Sequence, residues 1–216
     1  MKLTGFSSYE EYVRIQTLIN KAKIHDVWAC DKELRTVARL IRRINPQARF
    51  GLCHGVRNGY EVQKFRELLG FEVIGTEISE TATQFPHVIQ WDFHEVQPSW
   101  LGAVDMIYSN SWDHSFDPSH MLRQWLSCLS PQGRLVLQWT RQHDEEGTVG
   151  TQGADCFGAS LQELLDLVAR EGGVVDQVLT LRARAAPNTQ RWFKRLRRTL
   201  WPRFRKISLV VVRRGD

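Results

Sequence analysis

The sequence predicts an α/β fold built on a doubly wound, mostly parallel sheet of seven strands. Short apolar runs alternate with segments of helical spacing along most of the chain. One stretch, residues 49–79, has the strand, tight loop, helix, strand order of a single βαβ unit. Polar side chains also follow several successive apolar runs. Because ligands collect at the carboxyl ends of parallel strands, these polar ends predict the position of a site as well.

Two helices precede the predicted sheet. In the segment SSYEEY a serine stands three residues before a glutamate, which is typical of a helix N-terminus, and this first helix reaches about Lys23. The second helix spans Asp31–Ile44. The connection at residues 25–30 has two interpretations: a packed linker, or a lid over a ligand with Trp28 near the substrate. We expect residues 1–45 to form a helical lid.

A glycine-bracketed turn, Gly55–Gly59, joins the first strand (Phe50–Cys53) to an amphipathic helix that ends before Gly70. Glycine tolerates positive φ and lets the backbone approach a ligand closely. Glu77 follows the next apolar run, and a carboxylate at this distance can accept from both hydroxyls of a ribose. The turn lacks the G-x-G-x-x-G pattern and the Lys-Ser/Thr of a phosphate-binding loop. The stretch therefore predicts a nucleoside site whose ligand has no evident pyrophosphate.

The remaining elements continue the alternation of strands and helices. The further strands are predicted at Phe71–Ile74, His87–Phe93, Val104–Ser109, Arg134–Trp139, Val174–Leu181 and Ile207–Val212. Helices are predicted at Met121–Leu129 and from a capping box at Ser160 to about Ala169. Ser130–Gly133 is interpreted as a turn and Gln142–Gly158 as a long polar loop, whose last four residues we expect in an acceptor pocket.

Length and composition favour a single domain, 1–216, with residues 46–181 as its core. The chain has 216 residues, 42% of them hydrophobic. No run approaches the eighteen or so apolar residues of a membrane span, and no signal-peptide segment is evident. The four cysteines lack the spacing of a zinc site or a disulfide framework. We expect a cytoplasmic, reduced protein, with attachment to the membrane periphery left open.

A basic, aromatic insert is predicted at residues 186–206, before a last strand at 207–214. The net charge of +5 conceals twelve Lys or Arg and one acid from residue 181 onward. Three interpretations stay open for Arg191–Lys206: a helix that caps the sheet, a helix on an anionic membrane surface, or contact with nucleic acid through arginines and aromatic rings.

These motifs, taken in order, resemble the class I S-adenosylmethionine-dependent methyltransferases, over roughly residues 34–212. The shared features are a glycine loop after strand one, acids ending strands two and three, and the SPQGRLVL turn and strand. The segment VDMIYSNSWDHSFDP most resembles the small-molecule, methyltransferase type 11-like branch, with Asp113 and His114 in the Glu-His positions. Two departures are Cys53, where many members carry an acid, and Arg57, where they carry the central loop glycine.

The resemblance implies a Rossmann-like fold, S-adenosyl-L-methionine as cofactor, and methyl transfer to a small-molecule or saccharide acceptor by in-line displacement. The residues expected at the cofactor are His54, Gly55, Arg57, Asn58, Gly59, Glu77, Ile78, Asp92, Phe93, Ser109, Asn110 and Ser111. Among these, the ribose is assigned to Glu77, the adenine to Asp92 and Phe93, and the methionine carboxylate to Arg57 or Asn58. A turn or helix-cap role is the alternative for Asp92.

The resemblance also gives candidates for proton removal from the acceptor. His114 is the candidate base and Asp113 the candidate partner, since imidazole titrates near neutral pH. His54 and His94 are alternatives, and His143 is a weaker one. No metal is expected, because the spacing of His114 and His120 does not match one helix face. A second hypothesis is a cofactor-binding or scaffold protein of the same fold that transfers no methyl group. A methyltransferase that uses the insert on RNA or a lipid-linked substrate is a third.

Overall fold

The computed structural model describes residues 2–3, 6–144, 156–184 and 204–215. A seven-stranded sheet forms the centre, with strand order β4-β3-β2-β5-β6-β9-β8. The strands of this sheet are β2 (Phe50–His54), β3 (Glu72–Glu77), β4 (Val88–Gln90), β5 (Val104–Ser109), β6 (Leu129–Trp139), β8 (Gly173–Arg184) and β9 (Phe204–Arg214). Strands β2 to β6 run parallel, while β9 is antiparallel to β6 and to β8. The predicted α/β fold with a mostly parallel sheet is confirmed.

Helices cover both faces of the sheet. They are α1 (Tyr9–Ala22), α2 (Asp31–Ile44), α3 (Tyr60–Leu69), α4 (Pro118–Cys128) and α5 (Leu161–Arg170). The Ser8 side chain caps α1 by accepting from the Glu11 amide, and Ser160 with Glu163 forms the predicted capping box of α5. One buried apolar cluster packs α2 and α3 against the sheet, and a second packs α4 and α5.

Several strands have other bounds than predicted: β4 is shorter than the predicted His87–Phe93, and β8 is longer than the predicted Val174–Leu181. The predicted turn at Ser130–Gly133 lies inside β6, because the β5–β6 register shifts between Val104 and Met106 and the strand continues through the irregularity. The last strand begins at Phe204, so residues 204–206 belong to β9 and not to the basic insert. The insert's other basic residues, 191–203, lie outside the described residues.

A small antiparallel pair was not predicted. Strand β1 (Lys2–Leu3) pairs with β7 (Phe157–Gly158), which lies within the segment interpreted as loop. Two-residue strands are too short to show a period of two in the sequence.

Within the described ranges, no helix is both long enough and apolar enough to cross a membrane. All four cysteines are buried, and none of them forms a disulfide bond.

Candidate functional site

A cavity opens at the carboxyl ends of β2, β3 and β5, where ligands of open α/β sheets bind. Its lining residues are Tyr12, Gln16, Ile19, Asn20, Gly55, Arg57, Glu77, Ile78, Ser111 and His114. Six of the residues predicted for the site are therefore brought together. The other four come from α1.

Gly55 forms the floor of the cavity next to Ser111. Its φ is +72°, and a Cβ built there would lie 2.7 Å from the Cβ of Ser111. The Ser111 hydroxyl donates to the Gly55 carbonyl at 3.0 Å, which ties the two loops together. The position requires glycine both for its backbone conformation and for its space.

Arg57 occupies the next part of the turn with a φ of +49°, the left-handed region that non-glycine residues rarely adopt. Two contacts hold it there. Its amide donates to Glu77 Oε2 at 3.0 Å, and its Nη1 donates to the Asp26 carbonyl at 3.1 Å. The turn thus keeps the shape of a glycine loop while it places a guanidinium on the cavity wall. Strained residues of this kind cluster at binding sites.

Glu77 ends β3 and is 7% exposed. Besides the amide of Arg57, it accepts from the Ser79 amide at 3.2 Å. Burial raises the pKa of this carboxyl, and the hydrogen bonds from Ser79 and Arg57 oppose that rise. A carboxylate oxygen accepts more than one hydrogen bond, so both oxygens keep acceptor capacity toward the cavity.

Helix α1 forms one side of the cavity. The residues of this helix that line it were not predicted from the sequence. Tyr12, Gln16, Ile19 and Asn20 share one helix face, at the i, i+4, i+7, i+8 spacing of an amphipathic helix. This spacing in the sequence indicates that the helix face is buried. It does not show whether the face packs against the protein core or against a ligand. Thr81 donates to Asn20 Oδ1 at 3.0 Å and anchors the end of this face.

The connection between α1 and α2 is a packed linker. Trp28 Nε1 donates to Gln138 Oε1 at 2.9 Å, and the Arg205 guanidinium lies 4.5 Å from the centre of the Trp28 rings. Trp28 is outside the cavity lining. Of the two interpretations of residues 25–30, these contacts favour the packed linker.

A buried carboxylate lies beneath this linker. Glu33 is fully buried and accepts from the Tyr108 hydroxyl at 2.6 Å and from Gln138 Nε2 at 2.8 Å. Arg205 Nη2 lies 3.9 Å from its Oε2. Burial raises the pKa of Glu33, and the hydrogen bond from Tyr108 is the largest opposing effect. The network joins α2, β5, β6 and β9.

His114 lies on the cavity wall, and its Nδ1 is 3.0 Å from Gln16 Oε1. Gln16 Nε2 donates in turn to the buried Cys156 Sγ at 3.2 Å. Asp113 is buried and outside the lining, with its Oδ2 3.7 Å from His143 Nε2. His143 itself caps a short helix through Thr140 and is buried. Of the predicted catalytic pair, only His114 reaches the cavity.

The predicted adenine acid is engaged by its neighbour. Asp92 Oδ1 accepts from the His94 amide at 2.9 Å and lies 2.7 Å from His94 Nδ1. The other ring nitrogen is 2.9 Å from Ser115 Oγ. These distances resemble a hydrolase triad, but Ser115 is fully buried and is not among the residues that line the cavity. Asp92 thus makes a local contact with His94 and is not among the residues that line the cavity.

His54 lies behind the cavity, where it stacks on Trp125 with ring centres 4.5 Å apart. Its Nδ1 is 2.8 Å from Thr76 Oγ1. Burial, with a smaller contribution from His94, lowers the pKa of His54 to about 3. The ring is therefore neutral near physiological pH.

Four other predicted cofactor residues support the loops and do not line the cavity. Asn58 donates to the carbonyls of Ile24 and Asp26 in the linker, and Gly59 forms the N-cap of α3. Ser109 donates to the His54 carbonyl. Asn110 Nδ2 donates to the buried Glu61 Oε1 at 3.0 Å.

Phe93 borders the cavity without lining it. Its Cε1 lies 3.8 Å from the Cβ position of Gly55. Among the described residues, no group of three or more His, Cys, Asp or Glu side chains is arranged to hold a metal ion.

Comparison with solved structures decides the fold family. 1,6-Didemethyltoxoflavin-N1-methyltransferase of Burkholderia thailandensis, crystallised with bound 1,6-didemethyltoxoflavin and S-adenosylhomocysteine, is similar at a TM-score of 0.67 and 14% identity, over 99% of this chain and 93% of that one. The chain has the class I methyltransferase fold. A scan against protein-family models found no match, and neither did a search of curated proteins.

The same fold carries different chemistry in other similar structures. Geranyl diphosphate C-methyltransferase of Streptomyces coelicolor, solved with Mg²⁺, geranyl diphosphate and S-adenosyl-L-homocysteine, has a TM-score of 0.62 and 15% identity, over 96% and 98% of the two chains. The [4+2]-cyclase SpnF has a TM-score of 0.63 and 11% identity, over 99% and 98%. The methyltransferase fold alone does not determine the reaction.

Proposed function

We propose that this protein is an S-adenosylmethionine-dependent methyltransferase that transfers a methyl group to a small-molecule or saccharide acceptor by in-line displacement. One observation carries the proposal. A single cavity joins the Gly55 turn, the buried Glu77 carboxylate and the Arg57 guanidinium, under a helix that covers them. Neighbours of the same fold were crystallised with S-adenosylhomocysteine.

The cavity residues fit the parts of this cofactor. Glu77 offers two acceptor oxygens for the two ribose hydroxyls, and its low exposure makes those bonds strong. Arg57 offers a cation for the methionine carboxylate in place of the loop glycine of other members. Phe93, which borders the cavity beside Gly55, is proposed as the aromatic neighbour of the adenine.

The bound cofactor would supply a methyl group already activated on a sulfonium, so little covalent help is required of the protein. The contribution of this chain is alignment. Glu77 and Arg57 would fix the two ends of the ligand, and α1 would exclude water above it. His114, on the same wall as Ser111, is proposed to take the acceptor proton.

The test of the cofactor site is isothermal titration with S-adenosylhomocysteine. Glu77→Ala should weaken binding about 10- to 150-fold, the loss expected when hydrogen bonds to a charged group worth about 1.5–3 kcal/mol are removed. Glu72→Ala is the matched control, because Glu72 lies at the other end of the same strand, exposed and paired with Arg66. Wild-type protein that binds no cofactor would refute the proposal, and equal affinities for the two variants would remove Glu77 from it.

Arg57 has its own test, which uses a ligand without the amino-acid end. Arg57→Ala should weaken S-adenosylhomocysteine about 10- to 150-fold, by loss of a charge-assisted pair. It should leave the affinity for 5′-methylthioadenosine unchanged, since that molecule has no carboxylate. An equal loss for both ligands would show that Arg57 acts through the shape of the turn.

A second candidate function is cofactor binding without methyl transfer, or a different reaction on the same fold. The similarity to the [4+2]-cyclase SpnF favours this candidate. A labelled-methyl assay on cell extract distinguishes the two, because only a transferase moves label from the cofactor to an acceptor. Cofactor binding without any labelled product would support the second candidate.

A further inference from the structure

We propose that Gln16, on the helix that covers the cavity, is a positioning residue that holds His114 with its proton on Nδ1 and its lone pair on Nε2. The inference rests on the proposed function, because it assigns the nitrogen that receives the acceptor proton. It names a residue from a part of the chain that the sequence motifs do not include.

The geometry defines a three-membered chain of hydrogen bonds. Gln16 Oε1 lies 3.0 Å from His114 Nδ1, and Gln16 Nε2 lies 3.2 Å from Cys156 Sγ. Gln16 is 8% exposed and Cys156 is fully buried, so the contact between them is shielded from bulk water, whereas the contact to His114 is half-buried on the cavity wall. A primary amide has one accepting and one donating end, and here the two ends face different partners.

The structure places the amide oxygen of Gln16 toward His114 and the amide nitrogen toward Cys156, an orientation that suits a base. A neutral histidine can either donate or accept at Nδ1, whereas a protonated one can only donate. With the amide oxygen toward His114, the hydrogen bond persists before and after proton uptake. With the amide nitrogen there, the bond would have to break when the ring becomes charged. The accepting orientation therefore suits a base, and it leaves Nε2 as the basic nitrogen.

Methyl transfer to the acceptor would release one proton, and His114 would accept it. With the cofactor bound, the bond from the acceptor heteroatom to the methyl carbon would form as the sulfur–methyl bond breaks, and the electron pair of that bond would return to sulfur. The acceptor's proton moves to Nε2 of His114, and the resulting imidazolium keeps its Nδ1–H bond to Gln16. The neutral thioether and the methylated acceptor leave, and water later removes the proton.

The position of Gln16 on α1 gives the contact a further consequence. Gln16 shares its helix face with Tyr12, Ile19 and Asn20, all of which line the cavity. The hydrogen bond from His114 therefore ties a residue that follows β5 to the α1 face of the same cavity.

Nitrogen-15 NMR of the full chain tests the tautomer without any acceptor. Long-range proton–nitrogen correlation of uniformly labelled protein should show a pyrrole-like shift for His114 Nδ1 and a pyridine-like shift for Nε2. In Gln16→Met, which keeps the length and packing of the side chain, the Nδ1–H signature should be lost. In Gln16→Glu, which keeps an acceptor at the same place, it should be retained.

Controls separate this inference from the function on which it rests. Leu18→Ala alters the exposed face of the same helix and should leave the His114 signals unchanged. A wild-type spectrum with the proton on Nε2, or an unchanged spectrum in Gln16→Met, would overturn the inference even if the protein binds S-adenosylhomocysteine. Absence of cofactor binding would overturn the proposed function whatever the tautomer. Should Gln16→Met fail to fold, the wild-type and Gln16→Glu spectra still decide the assignment.

Discussion

Gly55 gives the sharpest test of the cavity floor, because the chain contains a matched control. Gly55 and Gly70 both have a φ of +72°, but a Cβ on Gly55 would lie 2.7 Å from Ser111 Cβ, whereas a Cβ on Gly70 would meet nothing within 4 Å. Alanine at either position has the same backbone strain, because the φ angle is the same. Only alanine at position 55 adds a steric conflict, with a carbon that cannot rotate away.

The expected magnitudes follow from these two contributions. A left-handed backbone costs a non-glycine residue about 1–2 kcal/mol, so Gly70→Ala should lower the free energy of unfolding by about that amount. Overpacking adds about 1–3 kcal/mol, so Gly55→Ala should lower it by about 2–5 kcal/mol. The lower chain entropy of alanine in the unfolded state is common to both variants and cancels in the comparison.

Urea denaturation measures the difference, and titration with S-adenosylhomocysteine measures its effect on the site. Gly55→Ala should have the lower urea midpoint and weaker binding, because Ser111 must move. Gly70→Ala should bind like the wild type. If Gly55→Ala is no less stable than Gly70→Ala, the Gly55–Ser111 contact is not as close as described and the geometry of the floor is wrong.

Two further predictions concern buried carboxylates. Glu33→Ala should lower the free energy of unfolding by about 3–5 kcal/mol, because Tyr108 and Gln138 lose their buried acceptor, whereas Glu67→Ala, at an exposed pair, should leave the urea midpoint unchanged. Burial raises the pKa of Glu61 above its usual 4.5, so the folded protein takes up this proton at a higher pH than the unfolded chain does. Glu61→Gln should therefore be more stable than the wild type at neutral pH. The difference between their urea midpoints should become smaller as pH falls through the raised pKa of Glu61. A difference that grows on acidification would show that the pKa of Glu61 is not raised in the folded protein.

The sequence was sufficient for most of the fold because its signals are local. Helix α2 and strand β5 have their predicted bounds, since each is a clear periodic segment bordered by polar or helix-ending residues. The turn predicted at Ser130–Gly133 failed because pairing with β5 extends the strand, and such pairing depends on a segment distant in the chain.

Site residues that lie at strand ends could be predicted from the sequence. Residues whose place at the site depends on contacts with distant parts of the chain could not. Glu77 lies at the cavity because its position at a strand end suffices. Asp92 also follows a strand, but its carboxylate makes a hydrogen bond with His94, two residues away, and is not part of the cavity lining. The contact between Gln16 and His114 joins residues 98 apart, and no spacing rule connects them.

The stacking of Arg205 on Trp28 has a consequence for how the parts of the fold communicate. The contact joins the linker after α1 to strand β9, and the Arg205 guanidinium also donates to the Trp28 carbonyl across 177 residues of sequence. The same guanidinium lies 3.9 Å from the buried Glu33. One side chain of the sheet thus couples the buried carboxylate network to the segment that follows the cavity-lining helix.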